Sequence, residues 1–160
     1  MKYFIFFILL STLGYSQEVE DIIKTRKFVL EANKVTDEQG MAKTTVRRQC
    51  FVLIDSTKAI VQWVSEFDNN GLGGITLGGD ILEFEHTINN LNKETLHSLK
   101  MTCEMDQGRV KSKLVIKIYS KSHAEARLEN TSASIFLPKE INFLGKIVPF
   151  ESSKVVIGAH

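Results

Sequence analysis

The chain has 160 residues, and its 20 lysine and arginine side chains nearly balance its 19 aspartate and glutamate side chains. This balance argues against non-specific nucleic-acid binding, which depends on clustered positive charge, so we expect no nucleic-acid partner. With only two prolines and no low-complexity tract, the sequence indicates a single domain without a linker.

The first 16 residues have the three regions of a secretory signal peptide. Lys2 supplies a positive charge, an unbroken apolar run covers 4–10, and small residues stand at Gly14 and Ser16. The apolar run is much shorter than the about 20 residues that a membrane-spanning helix needs. We therefore predict a cleaved signal peptide over 1–16.

Cleavage near Ser16–Gln17 would leave one mature β-rich domain over 17–160. We expect this domain to be exported, either to the periplasm or to the outside of the cell. No second apolar run reaches membrane-spanning length, so the mature chain is expected to have no transmembrane segment.

A short helix followed by a strand is predicted at the start of the mature chain. Glu18, Glu20 and Asp21 would complement the positive end of the dipole of a helix over 17–27. The apolar residues of Phe28–Val35 alternate as in a first strand.

From residue 44 onward the apolar residues recur with a period of two, which is typical of strands with one buried face. Strands are predicted over 44–54, 59–64, 75–77, 81–85, 96–105, 109–120, 124–137 and 141–148. This many short strands indicates a mostly β fold. We predict an antiparallel β-sandwich or partly closed β-barrel of about eight strands, with one short N-terminal helix.

Two cysteines, Cys50 and Cys103, lie in strand-like runs. In an oxidising compartment they could form a disulfide between strands. Alternatively they are two separate buried thiols, since cysteine packs as a small hydrophobic residue. Sequence alone does not decide between the two.

The mature chain also carries several short motifs in order. They are Ile23-Lys24-x-x-Lys27-Phe28-Val29-x-x-Ala32-Asn33, Gly71-x-Gly73-Gly74-Ile75 followed by Ile81-x-x-Phe84, Ala124-x-Ala126, and Phe143-x-Gly145-x-Ile147. Together they resemble a family of small exported proteins from Bacteroidetes catalogued as domain of unknown function 4251. This chain differs from the family pattern over 62–68, where that family has an aromatic segment with proline. The resemblance implies export and a β-rich fold, and it implies no activity.

The glycine-rich run over 71–80 could cradle a phosphate with its backbone amides. However, no Lys-Ser/Thr pair follows it, and no βαβ unit surrounds it. We interpret its glycines as turn and bulge residues on either side of a short strand, Ile75–Leu77. The loop could still border a binding surface.

Glu83, Glu85 and His86, together with His97 or His123, suggest metal ligands. At a period of two, however, His86 points away from the face that the two glutamates share. No recognised metal-ligand spacing occurs, so we predict no metal site and no cofactor.

No residue is predicted to be catalytic, because the chain has neither a Gly-x-Ser-x-Gly elbow nor a reactive-thiol signature. The leading hypothesis is a non-enzymatic envelope protein that binds a small apolar ligand or a partner protein. A structural module that pairs through a sheet edge is the alternative, and an envelope hydrolase is the third hypothesis. Aromatic residues could line a ligand cavity or fill the core: Phe51, Trp63, Phe67, Phe84, Phe136 and Phe143.

Asp55-Ser56-Thr57 looks similar to the O-glycosylation acceptor of exported proteins from the same bacterial group. It falls at a predicted exposed turn, where a sugar could be attached. Ser56 is therefore a candidate modification site, and an ordinary Asx-type turn is the alternative.

Overall fold

The computed structural model describes residues 18–40, 42–43, 49–64, 74–91, 94–105, 109–131, 137–155 and 157. A helix, α1, covers 18–25. Nine strands follow: β1 (Lys27–Asp37), β2 (Ala42–Lys43), β3 (Phe51–Asp55), β4 (Lys58–Val64), β5 (Gly74–Leu91), β6 (Glu94–Met105), β7 (Val110–Ser120), β8 (His123–Asn130) and β9 (Glu140–Pro149). A single 3-10 turn, Phe150–Ser152, comes after β9. The predicted signal peptide over 1–16 lies outside the described residues.

Eight of these strands close into an antiparallel barrel. Each strand from β3 to β9 pairs with the next along the chain, and β1 pairs with β3 on one side and β9 on the other. The two-residue β2 lies against β1 at Val35 and Thr36. This confirms the predicted mostly β fold with one short N-terminal helix, and it selects the barrel over the sandwich.

The inside of the barrel is filled by apolar side chains. On β7 the burial alternates residue by residue, so that Leu114, Ile116 and Ile118 are fully buried between exposed or half-buried neighbours. Trp63 and Phe143 meet edge to face across the interior, with ring centroids 6.4 Å apart. Each large buried apolar side chain contributes roughly 1.5–3 kcal/mol to stability. These two aromatic residues therefore belong to the core.

The barrel wall contains bulges, and a glycine lies where two backbones approach closely. Pairing shifts register after Ala32 in β1 and after Ile81 in β5. At Gly79, an added Cβ would lie 2.0 Å from the carbonyl oxygen of Glu104, so only glycine allows the two backbones to come this close. The sequence indicates Gly79 as a turn or bulge residue beside a short strand, whereas it lies inside the 18-residue β5 and pairs with Met105, two residues before the bulge.

Helix α1 packs over one mouth of the barrel. Its apolar residues Val19, Ile22 and Ile23 are buried in the same cluster as the barrel interior. The helix ends where Arg26 takes a positive φ of 50°, and Thr25 Oγ1 donates to the Ile22 carbonyl at 2.8 Å. This ending lets the chain turn from the helix directly into β1.

Candidate functional site

The second half of β5 is an open strand edge. β4 pairs with β5 only as far as Asp80, and the last backbone hydrogen bond on this side joins the Ile81 N–H to the Thr57 carbonyl at 2.7 Å. Beyond it, within the described part of the chain, residues 83–91 pair with β6 alone. β7 in turn pairs with β6 only from His97 onward, so the β5–β6 hairpin projects past the barrel wall.

Apolar side chains are exposed along this edge. Leu82, the extra residue of the bulge, is 53% exposed, and Ile88 is 49% exposed. They are two of the four large apolar side chains that are exposed in the described residues. An edge strand with unpaired amides and carbonyls and exposed apolar side chains is a template for another strand.

Two carboxylates and a lysine lie on the outer face of the edge. Glu83 and Glu85 are both exposed and lie two positions apart, so they share one strand face. Thr102 Oγ1 donates to Glu83 Oε2 at 2.9 Å, and Lys100 lies opposite Glu85 on β6. At the base of the edge, a depression of about 550 Å³ is lined by Asp80, Glu104 and Lys58 among others.

Two histidines meet on the inner face of the same hairpin. His86 Nε2 lies 3.2 Å from His97 Nδ1, and the rings stack with their planes 23° apart. His97 is buried, at 3% exposure, whereas His86 is half-buried. At this distance one neutral imidazole can donate its N–H to the ring nitrogen of the other.

Glu20 of helix α1 and Arg26, which follows the helix, bring charge to this hairpin. The Glu20 carboxylate acts electrostatically on both imidazoles and also pairs with Lys24 at 3.0 Å. Arg26 lies over the Phe84 ring, with its guanidinium carbon 4.1 Å from the ring centroid. Hydrogen bonding and charge attraction from Lys24 lower the pKa of Glu20, so its carboxylate is ionised near neutral pH.

The pKa of His97 is lowered below its ordinary value. Burial of the ring is the main cause, the nearby His86 adds to it, and Glu20 acts in the opposite direction. His97 is therefore neutral at neutral pH, and the bond between the two imidazoles can form.

The sequence analysis placed Glu83 and Glu85 on the opposite face from His86, and the structure has them so. Their carboxylates point outward, whereas His86 joins His97 inside. His123 lies elsewhere, at the start of β8, where its ring stacks on that of Tyr119 near the end of β7. Among the described residues, no group of three or more histidine, cysteine or acidic side chains is arranged to hold a metal ion.

The sequence analysis missed both the open edge and the histidine pair. It divided β5 into two short segments at its glycines, so the difference in length between β4 and β5 was hidden. The signal that could have revealed it is the alternation that continues from Leu82 to Ile88.

Cys50 and Cys103 are both buried in the main core cluster. Burial raises the pKa of the Cys103 thiol to about 11. Cys103 lies on β6 and Cys50 directly precedes β3, three strands away in the order of the barrel. The disulfide between them stays a prediction.

Ser56 is exposed at the two-residue turn between β3 and β4. It has a positive φ of 56°, and its backbone N–H donates to the Arg26 carbonyl at 2.7 Å. The turn thus presents its hydroxyl at the surface, and O-glycosylation there stays a prediction.

A second depression, of about 430 Å³, lies on the outer surface of β7, β8, β9 and β1. Lys34, Lys117 and Arg127 border it together with Glu125. Arg127 is already paired with Glu129 at 2.6 Å. Because both signs of charge are present, this surface indicates no particular ligand.

Comparison with solved structures identifies a related fold. A crystal structure of a DUF4251 family protein from Bacteroides eggerthii superimposes with a TM-score of 0.63 at 19% sequence identity. The match covers 88% of this chain and 93% of that one. The resemblance to the DUF4251 family is confirmed. At this identity the likeness extends to the fold alone.

The other comparisons returned nothing. No family profile matches the sequence, and no curated protein matches it. Within the described residues, no helix has the length and apolar character required to cross a membrane.

Proposed function

We propose that the mature chain is an exported, non-enzymatic interaction module that binds an extended, basic segment of a partner protein along the open edge of β5. The observation that carries this proposal is the pairing of residues 83–91 on one side only, in the part of the chain that the structure describes. A strand added there gains backbone hydrogen bonds without displacing any strand of the barrel.

The charge of the edge specifies the partner. Glu83 and Glu85 line its outer face, so a strand with lysine or arginine at alternate positions is complementary. A second copy of this chain is a poor partner, because its glutamates would come to lie near the same two carboxylates. The exposed Leu82 and Ile88 favour apolar residues at the remaining positions of the partner.

The small-ligand hypothesis has less support. The inward-facing side chains of the described strands are buried against one another, with Phe28, Trp63, Leu114 and Phe143 at 2% exposure or below. The two depressions described above both lie on the outer surface. The barrel interior therefore serves as a core that holds the hairpin in place.

The binding test uses a fluorescently labelled peptide in which valine and lysine alternate. Its anisotropy is measured while the mature protein is added. We expect saturable binding that is lost in the double variant Glu83→Lys/Glu85→Lys and kept in Glu125→Lys, which changes an exposed carboxylate on β8, three strands away from β5. A peptide of alternating valine and glutamate should not bind.

Two results would overturn the interaction proposal. One is the absence of saturable binding to the lysine peptide, and the other is equal binding by the double variant and the Glu125→Lys control. Self-association of the protein through β5 would also contradict the proposed basic partner.

Export is supported by the pattern of the first 16 residues. The intact mass of the protein isolated from its own cells tests it separately. A mass that begins at Gln17 is expected, whereas a chain that retains Met1 would contradict cleavage.

A further inference from the structure

A second cluster of buried apolar side chains lies on the outer face of the barrel. Val29, Phe51 and Leu53 are at 3% exposure or below. They alternate along β1 and β3 with residues of the interior core, and successive side chains of a strand point to opposite faces. The interior residues are Phe28, Leu30, Val52 and Ile54.

Strand pairing arranges this outer cluster as a row. Val29 is the pairing partner of Leu53 on one side and of Val148 on the other. Leu53 in turn pairs with Ile60. The outer apolar row therefore runs across four neighbouring strands, β9, β1, β3 and β4, with Phe51 beside it.

The segment that follows β9 packs on the outer apolar row. Val155 is partly buried against the cluster, and its backbone N–H donates to Ser153 Oγ at 3.4 Å. Ser153 Oγ in turn donates to Glu31 Oε1 at 2.9 Å, while Lys146 Nζ lies 3.2 Å from Glu31 Oε2. The segment is thus attached to β1 through one carboxylate and covers the row with one apolar side chain.

This attachment involves few groups. No residue of 150–155 belongs to a strand, the 3-10 turn Phe150–Ser152 has no buried residue, and Lys154 is exposed. The barrel closes without the segment, because β1 pairs directly with β9. A segment with few buried apolar contacts and no strand pairing opens at a lower free-energy cost than the sheet it covers.

We infer that residues 150–155 form a strap that shields the outer apolar row and detaches while the barrel stays folded. Detachment breaks the bond from Ser153 to Glu31 and exposes Val155, but it breaks no strand pairing. It uncovers the row, a contiguous apolar surface of a kind that folded chains rarely leave exposed. The strap of the same chain is the occupant of this surface, which is separate from the open edge at 83–91.

Trypsin cleavage after Lys154 in the full mature chain measures how often the strap is open. The rate at which the fragment 155–160 appears is divided by the cleavage rate of a free peptide of residues 150–160 with the same sequence. This ratio follows the population of the open state when reclosing is faster than cleavage. We expect a ratio below about 0.1 for the wild-type chain.

Two matched variants locate the contact. Val155→Ser should raise the ratio about tenfold, because it removes the apolar side chain that packs on the row. Ile157→Ser makes the same kind of change at a position that is 48% exposed, and it should behave as the wild type. Binding of an apolar fluorescent dye should increase in Val155→Ser alone.

The barrel serves as its own control. Fluorescence of the single tryptophan, Trp63, which is buried in the interior, should be the same in both variants and the wild type. In low urea, below the transition reported by Trp63, cleavage after Lys154 should accelerate only slightly, because a local opening exposes little surface.

Three results would overturn the strap. One is wild-type cleavage at the rate of the free peptide, and another is an equal ratio in Val155→Ser and Ile157→Ser. The third is cleavage whose urea dependence matches that of the unfolding of the barrel, because the segment would then open only with the whole domain.

Discussion

The wall formed by β7, β8 and β9 and the projecting β5–β6 hairpin have the same alternating sequence pattern and opposite roles. In the wall each strand has a neighbour on both sides, and its inward side chains, such as Leu114 and Phe143, are buried. In the hairpin, residues 83–91 of β5 have a neighbour strand on one side, and Ile88 is 49% exposed. The difference shows that strand length, more than composition, separates core from candidate site in this barrel.

The largest expected difference between the two regions is in stability. Leu114→Ala should lower the free energy of unfolding by about 3 kcal/mol, because it leaves a cavity at a fully buried position. Ile88→Ala on the hairpin should lower it by less than about 0.5 kcal/mol. Urea denaturation of both variants measures the two values. Equal losses would contradict the division into a filled wall and an exposed edge.

A smaller effect is expected where the hairpin leaves the barrel. Gly79→Ala should cost about 1–3 kcal/mol of unfolding free energy, because its Cβ would collide with the Glu104 backbone. The neighbouring Gly78 has only ordinary contact, 3.7 Å to Ile60, at the position of a new Cβ. Gly78→Ala should therefore be neutral or slightly stabilising by thermal or urea denaturation. An equally large loss of unfolding free energy in Gly78→Ala would show that the close approach of the Glu104 backbone to Gly79 is not the cause of the destabilisation.

The smallest effect is expected for the reaction of the buried Cys103 thiol with a labelling reagent. Because Cys103 is buried and its pKa is raised to about 11, a thiol reagent should label it only after the protein unfolds. Labelling in denaturant without reductant then distinguishes a thiol from the predicted disulfide with Cys50, which would block the reaction. Rapid labelling of the native protein would show that the core is open to solvent.

The sequence predicted the wall well because its strands are regular. In β7 the alternation of apolar and polar residues marks which side chains face inward. The helix was predicted over 17–27 from its acidic first turn, and the structure has it over 18–25. These features depend on residues that are close together in the sequence, so a local sequence pattern predicts them.

The candidate site could not be predicted in the same way. Gly78 and Gly79 indicated a turn, whereas the barrel requires glycine at 79 because the Glu104 backbone approaches there. The pairing of β1 with β9 joins the two ends of the chain, and no local pattern encodes it. The contact between His86 and His97 depends on the register of the β5–β6 hairpin, which follows only once β5 is seen as one strand.

Amide hydrogen exchange by NMR, in the presence and absence of the valine–lysine peptide, tests the central claim most directly. Residues 82–91 should include fast-exchanging amides in the free protein, and these should become protected when the peptide binds, while the amides of β7 stay unchanged. Protection confined to the outer surface of β7, β8 and β9, or no change over 82–91, would contradict the proposal that β5 offers its open edge to a partner strand.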